Sequence, residues 1–486
     1  MSYGAKIARN AAFLMMATAG QKVIAFASFI FVARLSGTEI TGAYFYAISI
    51  TSIFVTFADL GMTPVVIRAI AGKTEEGARL LGAAIRAKMY LAPAAALAAM
   101  GYALLGGADA TILLTVAVAC LVMTADTIHL VLYGALRGRQ NLKPEAIGMF
   151  VGQLLTATTA IAAAWYKTGP IGLAVSLLIA SGWNVVWSLI QIRKSGFHAL
   201  TPHPSDIRLL IREALPFGIA GISVKVYSYV DTLFIKMYHG FDAVGAYAVA
   251  YKLTYALQFL PLTFVAALYP ALAAAFANKE HDQLRNTFIG SLRLMAAMGF
   301  ALSAGLSALA PRIIPFVYGQ EFIAAVPAFR ILPWVLLPIF LDFPIGSLLN
   351  ATRRAHLKTT AMVITMVINI ALNAVLVPVW GPVGAAWAGV ISFWILFIIG
   401  VGFTAEQAGG WGRMLWLTGR GLIAAAVSWI AWDAIGQHMD FLAAMVFGTA
   451  VAIAMAFVVR FVTVDDVYGF IRRFRSAPEK VEAIHD

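Results

Sequence analysis

The chain alternates long apolar runs with short polar connections, and this alternation restricts the folds it can adopt. Crossing roughly 30 Å of hydrocarbon takes about 20 residues of helix, and fourteen runs of this kind can be placed in the sequence. Only 12% of the residues are charged, about half the share of a soluble domain. The sequence therefore predicts an all-α integral membrane protein with about fourteen spans. The runs lie at about 11–35, 40–58, 82–105, 110–133, 146–165, 171–192, 212–237, 244–272, 288–310, 325–349, 360–379, 384–403, 414–435 and 441–461.

The tenth run, 325–349, differs from the others because it contains four prolines. A proline inside a helix removes one backbone hydrogen bond and clashes with the preceding turn. We therefore expect this span to be kinked rather than straight. The prolines are Pro327, Pro333, Pro338 and Pro344.

Lysine and arginine are distributed unevenly between the two sides of these runs. When basic residues near the ends of a run, such as Lys88, are counted with the adjacent connection, one set of alternate connections holds 27 of the 35 and the other holds 5. The remaining three, Lys22, Lys225 and Lys252, lie in the middle of runs. Basic residues are retained on the cytoplasmic side of a membrane. The sequence thus predicts a multi-pass membrane protein with both termini in the cytoplasm. Because the net charge of +12 is explained by topology, we expect no nucleic acid partner.

Three segments recur in the same order about 210 residues apart, which indicates an internal duplication. A shift of 203 places Lys22 on Lys225, Gly37 on Gly240 and Gly42-Ala43-Tyr44 on Gly245-Ala246-Tyr247. A shift of 212 places Gly169 on Gly381, and one of 215 places Arg139 on Arg354. We predict two six-helix bundles related by a parallel repeat around a central cavity. The predicted boundaries are 1–200, 201–405, two additional helices at 406–463 and a cytoplasmic tail at 464–486.

Polar side chains inside the predicted spans indicate where a ligand is bound. A charge at the bilayer centre costs about 2.5–3.5 kcal/mol on insertion scales, so such residues normally face a protein interior or an aqueous cavity. Helical spacing collects hydroxyl, aromatic and ammonium groups on faces of the seventh and eighth spans. Sugars stack on rings and need many hydrogen bonds, so these faces suit a hydrated glycan. The candidate substrate-binding residues are Lys22, Lys225, Tyr229, Thr232, Lys236, Tyr251, Tyr255, Gln258 and Lys252. Lys252 points away from the tyrosine face of its own helix, so pairing with an acid is its alternative role.

Acidic residues inside spans are the candidates for coupling transport to an ion. These are Asp59, Asp126 and Asp231. His129 and Asp342 have two interpretations, carrying protons or pairing with a charged neighbour. A further set has hydrogen bonding between helices as its main interpretation, since Ser, Thr and Asn commonly serve this role in membranes. That set is Thr365, Asn369 and Asn373 in the eleventh span, and Ser49 and Ser52 in the second.

Several function classes lack their sequence signals. No Gly-x-x-x-x-Gly-Lys-Ser/Thr loop is present, so we expect no ATP hydrolysis by this chain. The single cysteine, Cys120, lies in an apolar run and cannot form a disulfide within the chain. No metal-binding or nucleophile motif is present, and we predict a protein that is not an enzyme and carries no cofactor.

A set of short motifs carries a family resemblance over nearly the whole chain. They are Ala33-Arg34-Leu35-Ser36-Gly37 with Gly42-Ala43-Tyr44, Asp59-Leu60-Gly61 with Arg68, Ala214-Leu215-Pro216-Phe217-Gly218, Asp231 before Val244-Gly245-Ala246-Tyr247, Tyr269-Pro270, Tyr318-Gly319 with Glu321-Phe322, and Asn369 to Asn373 with Gly381-Pro382-Val383-Gly384-Ala385-Ala386. In their order and placement they resemble the multidrug/oligosaccharidyl-lipid/polysaccharide exporter superfamily. Within it, the chain is most similar to bacterial flippases for lipid-linked O-antigen or exopolysaccharide units.

This resemblance implies two six-helix bundles in a V around a cavity that opens alternately to the two sides. It implies an undecaprenyl-pyrophosphate-linked oligosaccharide as substrate, with membrane lipids, a polysaccharide polymerase and a chain-length regulator as partners. The pyrophosphate agrees with the lysines inside spans. Two alternatives within transport are a cation-coupled multidrug or small-molecule exporter and a peptidoglycan-precursor (lipid II) flippase. The latter typically carries an Arg-Asp pair after the first span, whereas Gly37-Thr38-Glu39-Ile40-Thr41-Gly42 stands here. A polysaccharide polymerase or ligase is the alternative from another class.

Overall fold

A computed structural model describes residues 3–72, 74–197 and 199–461. Helices joined by short turns make up this part of the chain, which confirms the all-α prediction. Two 3₁₀ turns, Gln320–Ala325 and Leu332–Val335, interrupt the helices near the predicted tenth span. The helices are α1 Tyr3–Asp59, α2 Met62–Gly72, α3 Thr74–Leu105, α4 Ala110–Gly138, α5 Lys143–Trp165, α6 Gly169–Lys194, α7 Pro204–Ala256, α8 Phe259–Ala277, α9 His281–Ala308, α10 Ala310–Tyr318, α11 Val326–Ile331, α12 Leu336–Ala351, α13 Ala355–Thr404, α14 Trp411–His438 and α15 Phe441–Val458.

Two very long helices, α1 and α13, each contain two of the predicted spans, and α7 contains the seventh span and the first half of the eighth. Non-helical glycines divide α1 at Gly37, α7 at Gly240 and α13 at Gly381. The eighth predicted run, 244–272, is divided by a turn between α7 and α8, which the sequence did not predict, and the proline-rich tenth run is broken by a 3₁₀ turn as expected. By length and hydropathy alone, nine helices in the described ranges qualify as membrane spans, and two of these, Ala17–Asp59 and Ala355–Thr404, are double length.

The repeated glycines adopt the same backbone conformation in both halves of the sequence. Gly37 has φ 77° and ψ −180°, and Gly240 has φ 78° and ψ −172°. Gly169 and Gly381, the second repeated pair, also have positive φ, at 72° and 55°. Such values are accessible to glycine but unfavourable for other residues. The duplication that the sequence indicates is thus matched by equal turns at equivalent positions.

The two copies of the Gly-Ala-Tyr motif meet in a symmetric contact. A Cβ atom on Gly42 would lie 2.8 Å from the Gly245 nitrogen and closer still to the Phe241 carbonyl oxygen. A Cβ atom on Gly245 would lie 2.7 Å from the Thr38 carbonyl carbon. Thr38 and Phe241 are themselves equivalent under the shift of 203. The contact is therefore isologous, as at a two-fold axis, and the missing side chains let α1 and α7 approach closely.

Contacts divide the chain into two compact units. The first contains residues up to Phe259 together with Ile314–Leu332 and Thr359–Ser392. In it α1 packs along α7 and α5, and α4 packs against α6 and α3. Asn369 donates to the Ser392 hydroxyl at 3.0 Å, which confirms a hydrogen bond between the eleventh and twelfth spans. The Thr365 hydroxyl is buried without a hydrogen-bond partner among the described residues.

The second unit contains Leu260–Ile313, Pro333–Lys358 and the chain from Phe393 onward. Helix α9 packs against α12, α14 and α15. The Ser307 hydroxyl accepts hydrogen bonds from Trp334 at 3.0 Å and from Trp429 at 3.1 Å. Asp342 lies 4.0 Å from Lys358, in agreement with the interpretation that it pairs with a lysine. The sequence-based boundaries at 200 and 405 stay predictions, and the 464–486 tail lies outside the described residues.

Candidate functional site

Three lysines from α1 and α7 come together in the first unit. Lys225 interacts electrostatically with Lys22, and Lys252 interacts with both. Lys22 is exposed, whereas Lys225 and Lys252 are half-buried. The repeat relates Lys22 to Lys225, and Lys252 takes the position that Ser49 has in the first half. Like charges held this close destabilise each other, so an anion between them would be stabilised.

Aromatic rings surround two of these ammonium groups. The Lys225 Nζ lies 5.4 Å from the centroid of the Tyr229 ring. The Lys252 Nζ lies 5.5 Å from the Phe29 centroid and 5.6 Å from the Phe45 centroid. A cation over a ring gains about 0.5–2 kcal/mol, depending on desolvation. Lys252 therefore contacts rings where the sequence interpretation offered a carboxylate.

The rings continue as a series along α7. Tyr229 and Tyr251 have centroids 6.0 Å apart, and Tyr251 stacks on Tyr255 at 4.2 Å. Tyr251 also contacts Phe45 at 5.7 Å. Hydrogen bonds with Ser52 and Ser228 orient Tyr229 and Tyr251. We call the set Lys22, Lys225, Lys252, Phe29, Phe45, Tyr229 and Tyr251 the lysine–aromatic cluster. Among the residues that the structure describes, none of its three lysines forms an ion pair.

Asp126 is the candidate acid that interacts with a lysine of the cluster. It interacts electrostatically with Lys225. Its Oδ1 accepts a hydrogen bond from the Ser181 hydroxyl at 2.6 Å and lies 3.0 Å from the His129 Nε2. The Asp126 side chain is 38% exposed, whereas that of His129 is buried and packs edge-on against the Tyr133 ring. Asp126 thus interacts both with Lys225 of the cluster and with His129.

The other two candidate acids have local partners that fix them. Asp59 forms an ion pair with Lys88, which is 2% exposed, and accepts a hydrogen bond from the Thr63 hydroxyl at 2.9 Å. Asp231 is buried and accepts hydrogen bonds from the Tyr247 hydroxyl and from the Thr232 backbone nitrogen. Both acids therefore have a structural role: Asp59 pairs with Lys88, and Asp231 holds Tyr247 and the Thr232 backbone.

Four of the predicted binding residues are not members of the cluster. One of them, Tyr255, stacks on the cluster member Tyr251; the others are Lys236, Thr232 and Gln258. Lys236 donates to the Gly106 carbonyl oxygen at 2.7 Å and lies over the Tyr46 and Phe241 rings. Eleven residues of helix, about 16 Å, separate it from Lys225. Thr232 is fully buried, and Gln258 follows the end of α7 and is half-buried. Helical spacing put Thr232 and Lys236 on one face of the seventh span but gave no information about their depth, and Gln258 lies beyond the end of α7.

Comparison with known proteins identifies the family. The family model described as "Polysaccharide biosynthesis protein" matches residues 7–276, more than half of the chain. The chain belongs to this polysaccharide biosynthesis protein family. A second model, MatE, matches residues 216–375. The suspected membership of the exporter superfamily is thus confirmed.

Relatives of this polysaccharide biosynthesis protein include named flippases. The "Probable low-salt glycan biosynthesis flippase Agl15" of Haloferax volcanii is 25% identical over 264 residues, covering 52% of this chain and 54% of the relative. The "Lipid II flippase MurJ" of Bacillus subtilis is 21% identical over 309 residues, covering 57% of each. The chain therefore spans about half the length of these curated relatives. The expectation that it is not an enzyme agrees with these matches.

Solved structures confirm the transporter fold of this family member. "Lipid II flippase MurJ, inward closed conformation" has a TM-score of 0.70 at 14% identity, covering 91% of this chain and 97% of that chain. The inward-facing conformation of a multidrug resistance MATE family transporter has a TM-score of 0.66 at 15% identity, covering 80% and 95%. At such identities the likeness concerns the fold.

Sequence reasoning missed three residues that shape the site of this family member. Phe29 and Phe45 carry Lys252, yet an apolar residue in an apolar span gives no signal that separates a binding wall from a packed core. Lys88 was counted with the basic residues of a connection, but it is buried against Asp59. Its signal was weak, because Lys88 stands only two residues after Arg86.

Proposed function

We propose that this protein is a flippase that moves an undecaprenyl-pyrophosphate-linked oligosaccharide from the cytoplasmic to the periplasmic leaflet. It acts by alternating access of the two six-helix bundles, residues 1–200 and 201–405, and serves surface polysaccharide biosynthesis. The protein lies in the bacterial inner membrane with both termini in the cytoplasm, in agreement with the basic-residue count. Flippases of glycan biosynthesis among its relatives support the substrate class.

The observation that carries this proposal is the convergence of three lysines, Lys22, Lys225 and Lys252, that form no ion pair among the described residues. Aromatic rings lie beside two of them, Lys225 and Lys252. A pyrophosphate offers several anionic oxygens, and hydrogen bonds between charged partners are about twice as strong as neutral ones. Lys22 and Lys225 are equivalent positions of the two halves, so each half provides a cation. The rings of Tyr229 and Tyr251 offer a stacking surface for the sugars next to the anion.

Occupancy of this site is linked to the change of access through charge repulsion. With the site empty, Lys22, Lys225 and Lys252 repel one another and disfavour the approach of the segments that carry them. A bound anion removes this repulsion, so the ligand has different affinities for the two arrangements and shifts the balance between them. Asp126 is the proposed coupling residue, since it is half exposed and lies near Lys225.

Flipping of a fluorescent polyprenyl-pyrophosphate oligosaccharide in proteoliposomes tests the proposal. Lys22→Glu and Lys225→Glu should each lower the flipping rate at least tenfold, because an anion would replace a cation that contacts the pyrophosphate. Lys22→Arg should keep partial activity. Lys167→Gln is the matched control, since Lys167 is exposed in the turn before α6 and outside the cluster. Normal flipping by both glutamate variants would refute the proposed site.

A lipid II flippase is the second candidate, favoured by the MurJ matches in sequence and fold. The same proteoliposomes distinguish the two when the pentapeptide-bearing lipid is supplied in place of the oligosaccharide lipid. Preference for the peptide-bearing lipid would select this second candidate. Efflux of small cationic drugs with no movement of either lipid would instead indicate a cation-coupled exporter.

A further inference from the structure

A second basic site lies in the second unit, far along the chain from the lysine–aromatic cluster. It is a cavity of about 260 Å³ between α9, the beginning of α14 and the residues that follow α15. Two aromatic rings, Trp416 and Phe461, form part of its wall. Four arginines line it: Arg293, Arg413, Arg420 and Arg460. We call this cavity the arginine pocket.

The charges of the arginine pocket are of one sign. Its lining, as far as the described residues show, contains no acidic side chain. Arg420 experiences repulsion from both Arg293 and Arg460. Its guanidinium stacks on Trp416 at 4.1 Å from the ring centroid, so the side chain is held in place. The repulsion between Arg420 and Arg460 costs free energy, which a bound anion would offset.

The chemistry of arginine selects a phosphate as that anion. The guanidinium presents its donors as a planar fork that matches two phosphate oxygens, and it stays charged at all physiological pH values. A cavity of about 260 Å³ with two aromatic rings in its wall suits a compact headgroup better than a glycan. By the basic-residue count, the ends of helices that form the pocket belong to the predicted cytoplasmic side, where the membrane surface is anionic.

An apolar surface begins at the pocket and runs along α14. Trp416, Ile423 and Ile430 are 64%, 62% and 61% exposed. Their spacing of seven residues puts them on one face of the helix. Trp416 belongs both to this face and to the pocket, so an acyl chain on the face would lead directly to a headgroup among the arginines. A free anion has no acyl chain and would make no contact with this apolar surface.

We propose that the arginine pocket binds the phosphate headgroup of an anionic membrane phospholipid, with an acyl chain along the exposed face of α14. The site is separate from the transport substrate and stands whether or not the proposed flippase function does. Phosphatidylglycerol is the probe, because it combines one phosphodiester with two acyl chains. Phosphatidylcholine is the comparison lipid, because it has the same phosphodiester but its choline cation cancels the negative charge.

Native mass spectrometry of the full chain in detergent micelles measures this binding. Phosphatidylglycerol should bind at least tenfold more tightly than phosphatidylcholine. Arg413→Gln with Arg420→Gln should weaken its binding at least tenfold. The matched control, Arg353→Gln with Arg354→Gln, removes two basic charges from the same predicted side but outside the pocket and should leave binding unchanged. Equal losses in the two double variants would overturn the proposal.

Two further arms keep the result clear. Arg413→Lys with Arg420→Lys preserves the charges that set topology but removes the forks, so phosphatidylglycerol should bind several-fold more weakly even if the glutamine variant fails to insert. Inorganic pyrophosphate should not displace the lipid; displacement at equal concentration would show a free-anion site and refute lipid binding.

A last test concerns the protein's own tail, because the chain continues with Asp465 and Asp466. Binding that appears only after both are changed to asparagine would make the protein's own tail the occupant and overturn the proposal.

Discussion

The close approach of α1 and α7 at Gly42 and Gly245 predicts an unusually large effect of the smallest substitution. In Gly42→Ala the new methyl group would lie 2.8 Å from the Gly245 nitrogen and closer to the Phe241 oxygen, inside the 3.0 Å that Cβ contacts essentially never pass. The obstacle is backbone, so no side chain can rotate away. The helices must separate, and overpacking of this kind costs about 1–3 kcal/mol. Gly245→Ala meets the Thr38 backbone and should cost about the same.

Gly101→Ala is the matched control for both variants. Gly101 lies in α3, and a Cβ atom there would have nothing within 4 Å. Alanine is favoured over glycine inside a helix by about 0.8–1 kcal/mol, so this variant should be slightly more stable than the original protein. Gly42 also lies inside a helix, so this gain is common to both variants, and the gap between Gly42→Ala and Gly101→Ala should be the overpacking cost alone, roughly 1–3 kcal/mol.

Equilibrium unfolding by SDS titration in mixed micelles measures these free energies of unfolding. The two glycines share one contact, so a separation caused by the first methyl group makes room for the second. Gly42→Ala with Gly245→Ala should then destabilise by clearly less than the sum of the single changes, as expected for residues in direct contact. Single variants as stable as Gly101→Ala, or fully additive effects, would show that the helices do not approach as described.

Three other predictions concern charge and topology. Lys88→Met should lower the free energy of unfolding by about 3–5 kcal/mol because it leaves the Asp59 carboxylate without its buried partner, and adding Asp59→Leu should restore most of it; SDS titration measures both. Asp126→Asn should slow flipping driven by a pH gradient while the labelled lipid still binds, and an unchanged rate would remove Asp126 as the coupling group. Single cysteines near Arg353 should be labelled only from the cytoplasm and those near Pro311 only from outside, in a background without the native cysteine; labelling of both from one side would contradict the topology.

The helices and the duplication were accessible from sequence because both leave local signals. An apolar run of about 20 residues has one stable structure in hydrocarbon, since a helix satisfies its own backbone hydrogen bonds. Glycines at turns recur because only they adopt positive φ without strain. Gly37 and Gly240 coincide under the shift of 203, and their equal backbone angles agree with the duplication.

The composition of the site was less accessible because depth and partner choice depend on packing between distant segments. Lys225 and Lys236 share a helix face, yet one lies in the lysine–aromatic cluster and the other donates to Gly106 on the turn after α3. Lys88 appeared to belong to a basic connection, and only the structure shows its pairing with Asp59. Periodicity reports the direction of a side chain, whereas the identity of its neighbour comes from the fold.

The two halves share their scaffold but differ in the chemistry that they place on it. The shift of 203 that pairs Lys22 with Lys225 also sets Lys252 on Ser49 and Tyr251 on Ile48. Only one cation of the cluster is thus common to both halves, while the third lysine and the tyrosine series belong to the second. In the proposed flippase, both halves contact the pyrophosphate of the proposed substrate. The stacking surface for sugars lies mainly on α7, so differences between glycans are expected to act on the second half.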